Sequence, residues 1–198
     1  MGLILASKSP RRRELLALLG VEFKVITEDI DEAIDSSVPV IDEIKRLSFE
    51  KALAVKNEAL EDDIIIAADT VVALGNRIFG KPKSEEDAKA MLETLSGRTH
   101  NVITGITVIK GKKTDTRAVE TQVTFRDLSE TEISAYIKTG DPFDKAGAYA
   151  LQGISTIFVH SISGDHFNVY GLPVSTLADM LRGFGVKILD ECMEDTNA

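Results

Sequence analysis

Hydrophobic positions in this chain come in two rhythms. Short unbroken apolar runs at residues 3–6 and 64–68 have the length and make-up of buried strands, and residues 21–27 alternate well enough to predict another. Between the first two of these in chain order, Leu15, Leu16, Leu18 and Leu19 form the apolar face of a helix. Ser9 suits its N-cap, Pro10 its first position, and Gly20 its end. Pro39 opens a second helix reaching about residue 57, with Ile41, Ile44, Leu47 and Ser48 on one side and Lys51 one turn further on.

The run at 64–68 is apolar on both faces, which predicts a central strand. It ends at Asp69-Thr70, and residues 71–74 resume the apolar character. Ser84 caps a helix over 85–95 whose core face is Ala88, Met91, Leu92 and Leu95, and Ser96-Gly97-Arg98 breaks it. Residues 102–109 and 117–125 predict two strands around a Lys110-Gly111-Lys112-Lys113 turn, with Val119, Thr121, Val123 and Phe125 sharing a face. Ser129 and Glu132 have capping-box spacing for a helix to Thr139. A long loop at 140–153, a strand at 154–162 and a last helix opened by Pro173, with Leu177, Leu181 and Phe184 inward, complete the chain.

Composition narrows the class. At 198 residues and 43% hydrophobic, the chain can bury a sizeable core as one compact domain, or as two small lobes around one sheet. We expect a single domain over 1–190 and a frayed acidic tail at 191–198. No apolar run reaches the ~20 residues that span a bilayer, and the first run is too short for a signal peptide. The single Cys192 excludes an internal disulfide framework and a zinc site of several cysteines. A soluble, cytoplasmic protein without a membrane partner is expected. The net charge of −9 argues against a nucleic-acid polymer as partner.

Against that acidic background Lys8, Arg11, Arg12 and Arg13 form the densest basic cluster. Cations are disfavoured at the positive end of a helix, where unpaired backbone N–H groups favour an anion. Cations and free N–H groups together fit a phosphate-binding corner. The alternative is an exposed helix start whose arginines point at water. The acidic stretch 28–32 is either a solvated charge run or the source of a metal ligand. Lys51 is either a snorkelling surface residue or the edge of a site.

Asp69 is the acid with the strongest case for chemistry. A carboxylate within a buried apolar run is costly unless paired, hydrogen-bonded or bound to metal, or unless it caps a turn. The stretch 75–82 has the spacing of a P-loop, but Pro82 stands where a Ser or Thr would hold magnesium. Gly75-Asn76 reads as a hairpin turn, which leaves Lys81 as a point charge able to reach a phosphate. Gln152 offers an amide suited to a base edge. His100, His160 and His166 share no ligand spacing, so a His-based metal site or a Ser-His-Asp triad lacks support.

Together these stretches resemble the Maf family of nucleoside triphosphate pyrophosphatases, also called septum formation inhibitors. The resemblance rests on Leu5-Ala6-Ser7-x-Ser9-Pro10-Arg11-Arg12, Ala68-Asp69-Thr70, Gly80-Lys81-Pro82, Ser96-Gly97-Arg98, and Lys145-Ala146-Gly147-Ala148-Tyr149 with Gln152-Gly153. These motifs stand in family order and cover residues 3 to about 175. The last is similar to the subgroup acting on dTTP and UTP, with Ala150-Leu151 where Gly-Ile is usual.

The resemblance implies an α/β fold of the Maf/ITPase type, an elongated mixed β-sheet flanked by helices, in two lobes around a central cleft. It implies hydrolysis of a nucleoside triphosphate to the monophosphate and pyrophosphate, a divalent cation (Mg2+ or Mn2+), and a homodimer. By motif, Asp69 matches the proton acceptor, and Arg11, Thr70 and Gln152 match positions tied to substrate choice. Ser7, Arg12, Lys51 and Lys81 match the phosphate pocket, and Asp69 and Glu32 match acids near the metal. The rival expectations are a phosphatase releasing orthophosphate and a nucleotide-sensing regulatory protein of cell division with little turnover.

Overall fold

The computed structural model of the chain describes residues 2–35 and 37–188. The predicted acidic tail at 191–198, with Cys192, lies outside the described residues. The described strands are β1 (Leu3–Leu5), β2 (Phe23–Val25), β3 (Ile64–Leu74), β4 (Arg77–Phe79), β5 (Thr99–Lys110), β6 (Lys113–Phe125) and β7 (Val159–Ser163). The helices are α1 (Pro10–Ala17), α2 (Val40–Ala54), α3 (Glu85–Leu95), α4 (Glu130–Ile137), α5 (His166–Val169) and α6 (Val174–Gly183). The strands join in one mixed sheet in the order β2-β1-β3-β5-β6-β7, with β4 beside β3.

The chain divides into two compact units. The first comprises Met1–Asp69, Gly105–Ala118 and the chain from Gly171 onward. Here β1 pairs in parallel with both β2 and β3, matching Leu3 to Phe23 and to Ile64. Ile4, Ala6, Ile65, Ala67 and Ile109 pack with Ala52 and Val55 in one apolar cluster. Gly105 lets α2 come very close, since a Cβ there would lie 2.3 Å from the Ile44 carbonyl oxygen.

The second unit comprises Thr70–Thr104 and Val119–Tyr170. The β3–β4 pair is an antiparallel hairpin with Leu74 opposite Arg77, and its turn uses Gly75 at φ 58°. That confirms a hairpin and not a P-loop at 75–82. The β6–β7 pair is antiparallel with an irregularity between Thr124 and Phe125. Val72, Phe79, Leu92, Val123, Phe125 and Phe158 anchor the unit's core. The capping box at Ser129 and Glu132 forms as its spacing predicts.

Four expectations change. The strand at 21–27 shrinks to three residues, because it lies at the sheet edge with two of the three exposed. The first helix stops at Ala17, so Leu18 caps it and stands 65% exposed instead of joining the apolar face. Ile41, in the first turn of α2, is likewise exposed. The predicted strand at 154–162 begins as a 3-10 turn, Ile154–Phe158, which leaves Ile154 and Ile157 in solvent. Among the described residues, no helix is long and apolar enough to cross a membrane.

Candidate active site

The run predicted to end at Asp69-Thr70 does not end there. β3 continues through both residues to Leu74, so Asp69 caps no turn and sits mid-strand, half-buried. The last turn of α2 carries Lys51 to it: Lys51 Nζ donates to Asp69 Oδ1 at 2.5 Å. The same ammonium lies 2.7 Å from Glu32 Oε1. The Lys51 and Asp69 side chains are each 14% exposed, and Glu32 is 51% exposed. The acid demanded a partner, and a lysine eighteen residues earlier in the chain supplies it. The structure thus unites Lys51, Asp69 and Glu32 in the first unit.

The corner between β1 and α1 is built from hydroxyls and one guanidinium. Ser9 caps α1 through its side chain, and no acidic residue occupies the first turn. Buried Ser7 Oγ accepts from the Ser9 backbone N–H and from Arg12 Nη1 at 3.4 Å. Arg12 Nε donates to the Gly171 carbonyl at 2.8 Å, tying α1 to the segment before α6. Burial lowers the pKa of the Arg12 guanidinium, and the charge of Asp69 opposes that shift. Arg12 and Asp69 therefore sense each other electrostatically. Arg11 is half-buried beside it, and Arg13 is exposed. Lys8 pairs with Asp29 of the acidic loop at 2.6 Å, in a solvent-exposed pair of little energetic weight.

The remaining predicted residues stand in the second unit. Thr70 Oγ1 lies 3.0 Å from Thr104 Oγ1, and buried Thr104 donates to the Asn168 carbonyl. Lys81 follows β4 and is exposed, next to Gly80, whose carbonyl accepts from the Gly147 N–H. Gln152 is exposed within the 140–153 loop. That loop is closely braced. Gly147 has φ 67°, and a Cβ there would meet Val72 at 2.9 Å. Ala148 has φ 66° and is fully buried, a backbone state that non-glycine residues enter only when held. Lys145 Nζ donates to Asp144 Oδ1 at 2.6 Å and to Asp141 Oδ1 at 3.0 Å.

Three bracing residues escaped the sequence reading. His100 Nε2 meets Tyr149 Oη at 2.6 Å. Ser155 Oγ bonds both the N–H and the carbonyl of Ala150, and Tyr170 Oη donates to the Leu151 carbonyl at 2.8 Å. Their partners are largely backbone atoms, which leave no mark in a sequence.

Glu32 and Asp69 converge on one cation, so their oxygens suit a hard divalent ion that takes one or two carboxylates and completes its shell with phosphates and water. No group of three or more His, Cys, Asp or Glu residues forms a protein-only metal cage among the described residues.

The sheet order and flanking helices define an α/β fold shared with two solved proteins. The Staphylococcus aureus Ham1 protein matches at TM-score 0.51 and 17% identity, over 92% of this chain and 99% of that one. A HAM1 protein from Coxiella burnetii matches at TM-score 0.54 and 14% identity, over the same shares. A family model described as Maf-like protein matches residues 2–184, and the chain belongs to that family. A relative from Bacillus cereus, named dTTP/UTP pyrophosphatase, is 46% identical over 186 residues, 94% of this chain and 97% of its own. Another of that name, from a Thermoanaerobacter species, is 46% identical over 195 residues, 96% of this chain and 100% of its own.

Proposed function

We propose that this chain is a nucleoside triphosphate pyrophosphatase that hydrolyses dTTP and UTP to the monophosphate and pyrophosphate. The observation that carries the proposal is the Lys51 ammonium lodged between the Asp69 and Glu32 carboxylates. A triphosphate binder that uses no metal gains nothing from a carboxylate beside a basic corner, whereas a hydrolase can use one as a general base. Relatives named dTTP/UTP pyrophosphatase at 46% identity support the substrate class.

On this proposal Asp69 accepts the proton of the water that attacks the α-phosphorus, and pyrophosphate leaves. Arg11, Arg12, Lys51, Lys81 and the backbone N–H groups of the first turn of α1 bind phosphate oxygens, with Ser7 orienting Arg12. Thr70 and Gln152 select the base. Asp69 and Glu32 would hold Mg2+ or Mn2+, which when bound neutralises charge on the phosphates. Most of the acceleration comes from positioned charge. The compartment that accords with a single Cys192 is the cytoplasm, and a homodimer is the assembly the family resemblance implies.

The deciding experiment measures the products formed from UTP with magnesium. Pyrophosphate with UMP supports the proposal; orthophosphate with UDP makes the protein a phosphatase. Tight nucleotide binding without product makes it a sensor. Asp69→Asn should lower kcat by roughly 10²–10⁴-fold, the contribution of a general base. Wild-type turnover in that variant would remove Asp69 from the mechanism.

A further inference from the structure

Gln152 is exposed and stands in a loop, so its precision as a base-reading residue must come from its neighbours. Those neighbours are held on both sides. Before it, Ser155 Oγ, fully buried, accepts from the Ala150 N–H at 3.2 Å and donates to the Ala150 carbonyl at 3.0 Å. Immediately before it, the Leu151 carbonyl accepts from Tyr170 Oη at 2.8 Å. Immediately after it, Gly153 has φ 80° and ψ −159°, a conformation essentially confined to glycine. The peptide that joins Leu151 to Gln152 therefore has its carbonyl fixed by a side chain from another element.

That element is itself immobilised. Tyr170 caps the C-terminus of α5, and α5 is only four residues long, too short to be stable alone. Fully buried Asn168 anchors it, donating through Nδ2 to the Val102 carbonyl and to Thr121 Oγ1, both at 3.0 Å. Thr121 Oγ1 donates onward to the Asp165 carbonyl, and Asp165 caps the N-terminus of α5 through its carboxylate. The hydroxyl of Tyr170 thus reaches the loop from a base tied into β5 and β6. A swing of the 151–152 peptide would break its bond and turn the Gln152 side chain.

We propose that Tyr170 is a specificity-positioning residue: by holding the Leu151 carbonyl it fixes the direction from which Gln152 meets the nucleotide base. The proposal rests on the base-reading role given to Gln152 above. Tyr170 touches no substrate in this scheme. It acts through the backbone that carries Gln152.

The test is a double-mutant cycle on substrate choice. kcat/KM for UTP and for GTP is measured in wild type, Tyr170→Phe, Gln152→Ala and the double variant. Tyr170→Phe keeps the ring and its packing on His166 and removes only the hydroxyl. It should lower the UTP-to-GTP ratio roughly 2- to 10-fold, the worth of one hydrogen bond, and speed hydrogen exchange at the Gln152 and Gly153 amides. In the Gln152→Ala background the same substitution should leave the ratio where it is. An unchanged ratio in Tyr170→Phe, with Gln152→Ala lowering it, overturns the role of Tyr170 and spares that of Gln152. An equal loss in both backgrounds also overturns it, since the hydroxyl would then act without Gln152. An unchanged ratio in Gln152→Ala overturns the base-reading role and this proposal with it.

Discussion

At the scale of single residues, chemistry in this protein is decided by who stands beside a buried group. Burial holds the His100 imidazole at a pKa of about 4, against its ordinary 6.5, with the Arg98 backbone opposing the shift. The unfolded chain takes up a proton at His100 below pH 6.5, and the folded chain refuses it until about pH 4. Stability is therefore intact above pH 6.5 and falls as the solution is acidified through that window, by about 3 kcal/mol from this group. His100→Gln keeps an acceptor for Tyr149 Oη and removes the titration. Urea unfolding across that window should give a shallower pH slope in the variant, and parallel slopes would show that His100 does not titrate there. Asp69 was legible in the sequence because a carboxylate in an apolar run needs an explanation. Lys51 was legible only as a position at the edge of a buried face. Tyr170 and Ser155 were not legible, because each bonds backbone that any sequence would present.

At the scale of elements, the constraint is how closely backbones approach. A Cβ on Gly105 of β5 would lie 2.3 Å from the Ile44 carbonyl oxygen and 2.7 Å from its carbon, both backbone atoms of α2. Neither strand nor helix has a flexible side chain to yield there. Gly105→Ala should cost about 3 kcal/mol in urea unfolding, the upper range for overpacking. Gly183→Ala at the end of α6, where a Cβ meets nothing within 4 Å, should stay within about 1 kcal/mol of wild type. Equal midpoints for the two variants would mean that α2 moves aside freely. The elements most easily read from the sequence were those with a hard signal at each end, such as α3 between Ser84 and Ser96-Gly97, and α4 behind its capping box. Errors gathered where a single local cue had to carry the element. Asp69-Thr70 resembled a strand end because pairing with Lys51 is invisible in sequence. Residues 154–158 resembled strand because Ile154 and Ile157 are apolar, although both face solvent.

At the scale of the whole molecule, a net charge of −9 repels a triphosphate, so affinity must come from cations within a few ångströms of it. On the proposed function, the basic first turn of α1 and Lys51 supply such cations in the first unit. A ligand that binds only the folded chain stabilises it by about 2.7 kcal/mol at a hundredfold excess over its Kd. For a chain of this size that corresponds to a rise in Tm of about 5–10 °C. A UTP analogue with a non-hydrolysable α,β-bridge, added with magnesium, should produce that rise in wild type. Chelating the metal should shrink it, because Glu32 and Asp69 would then face the phosphates with Lys51 as the cation between them. Lys51→Ala should shrink it too, since the ammonium that balances those two carboxylates is gone. Both proteins are compared at one analogue concentration, each against its own ligand-free Tm, with each rise converted to a free energy through that protein's own unfolding entropy at Tm. An equal rise in wild type and Lys51→Ala would place the triphosphate away from the Lys51, Asp69 and Glu32 cluster and end the case for catalysis there.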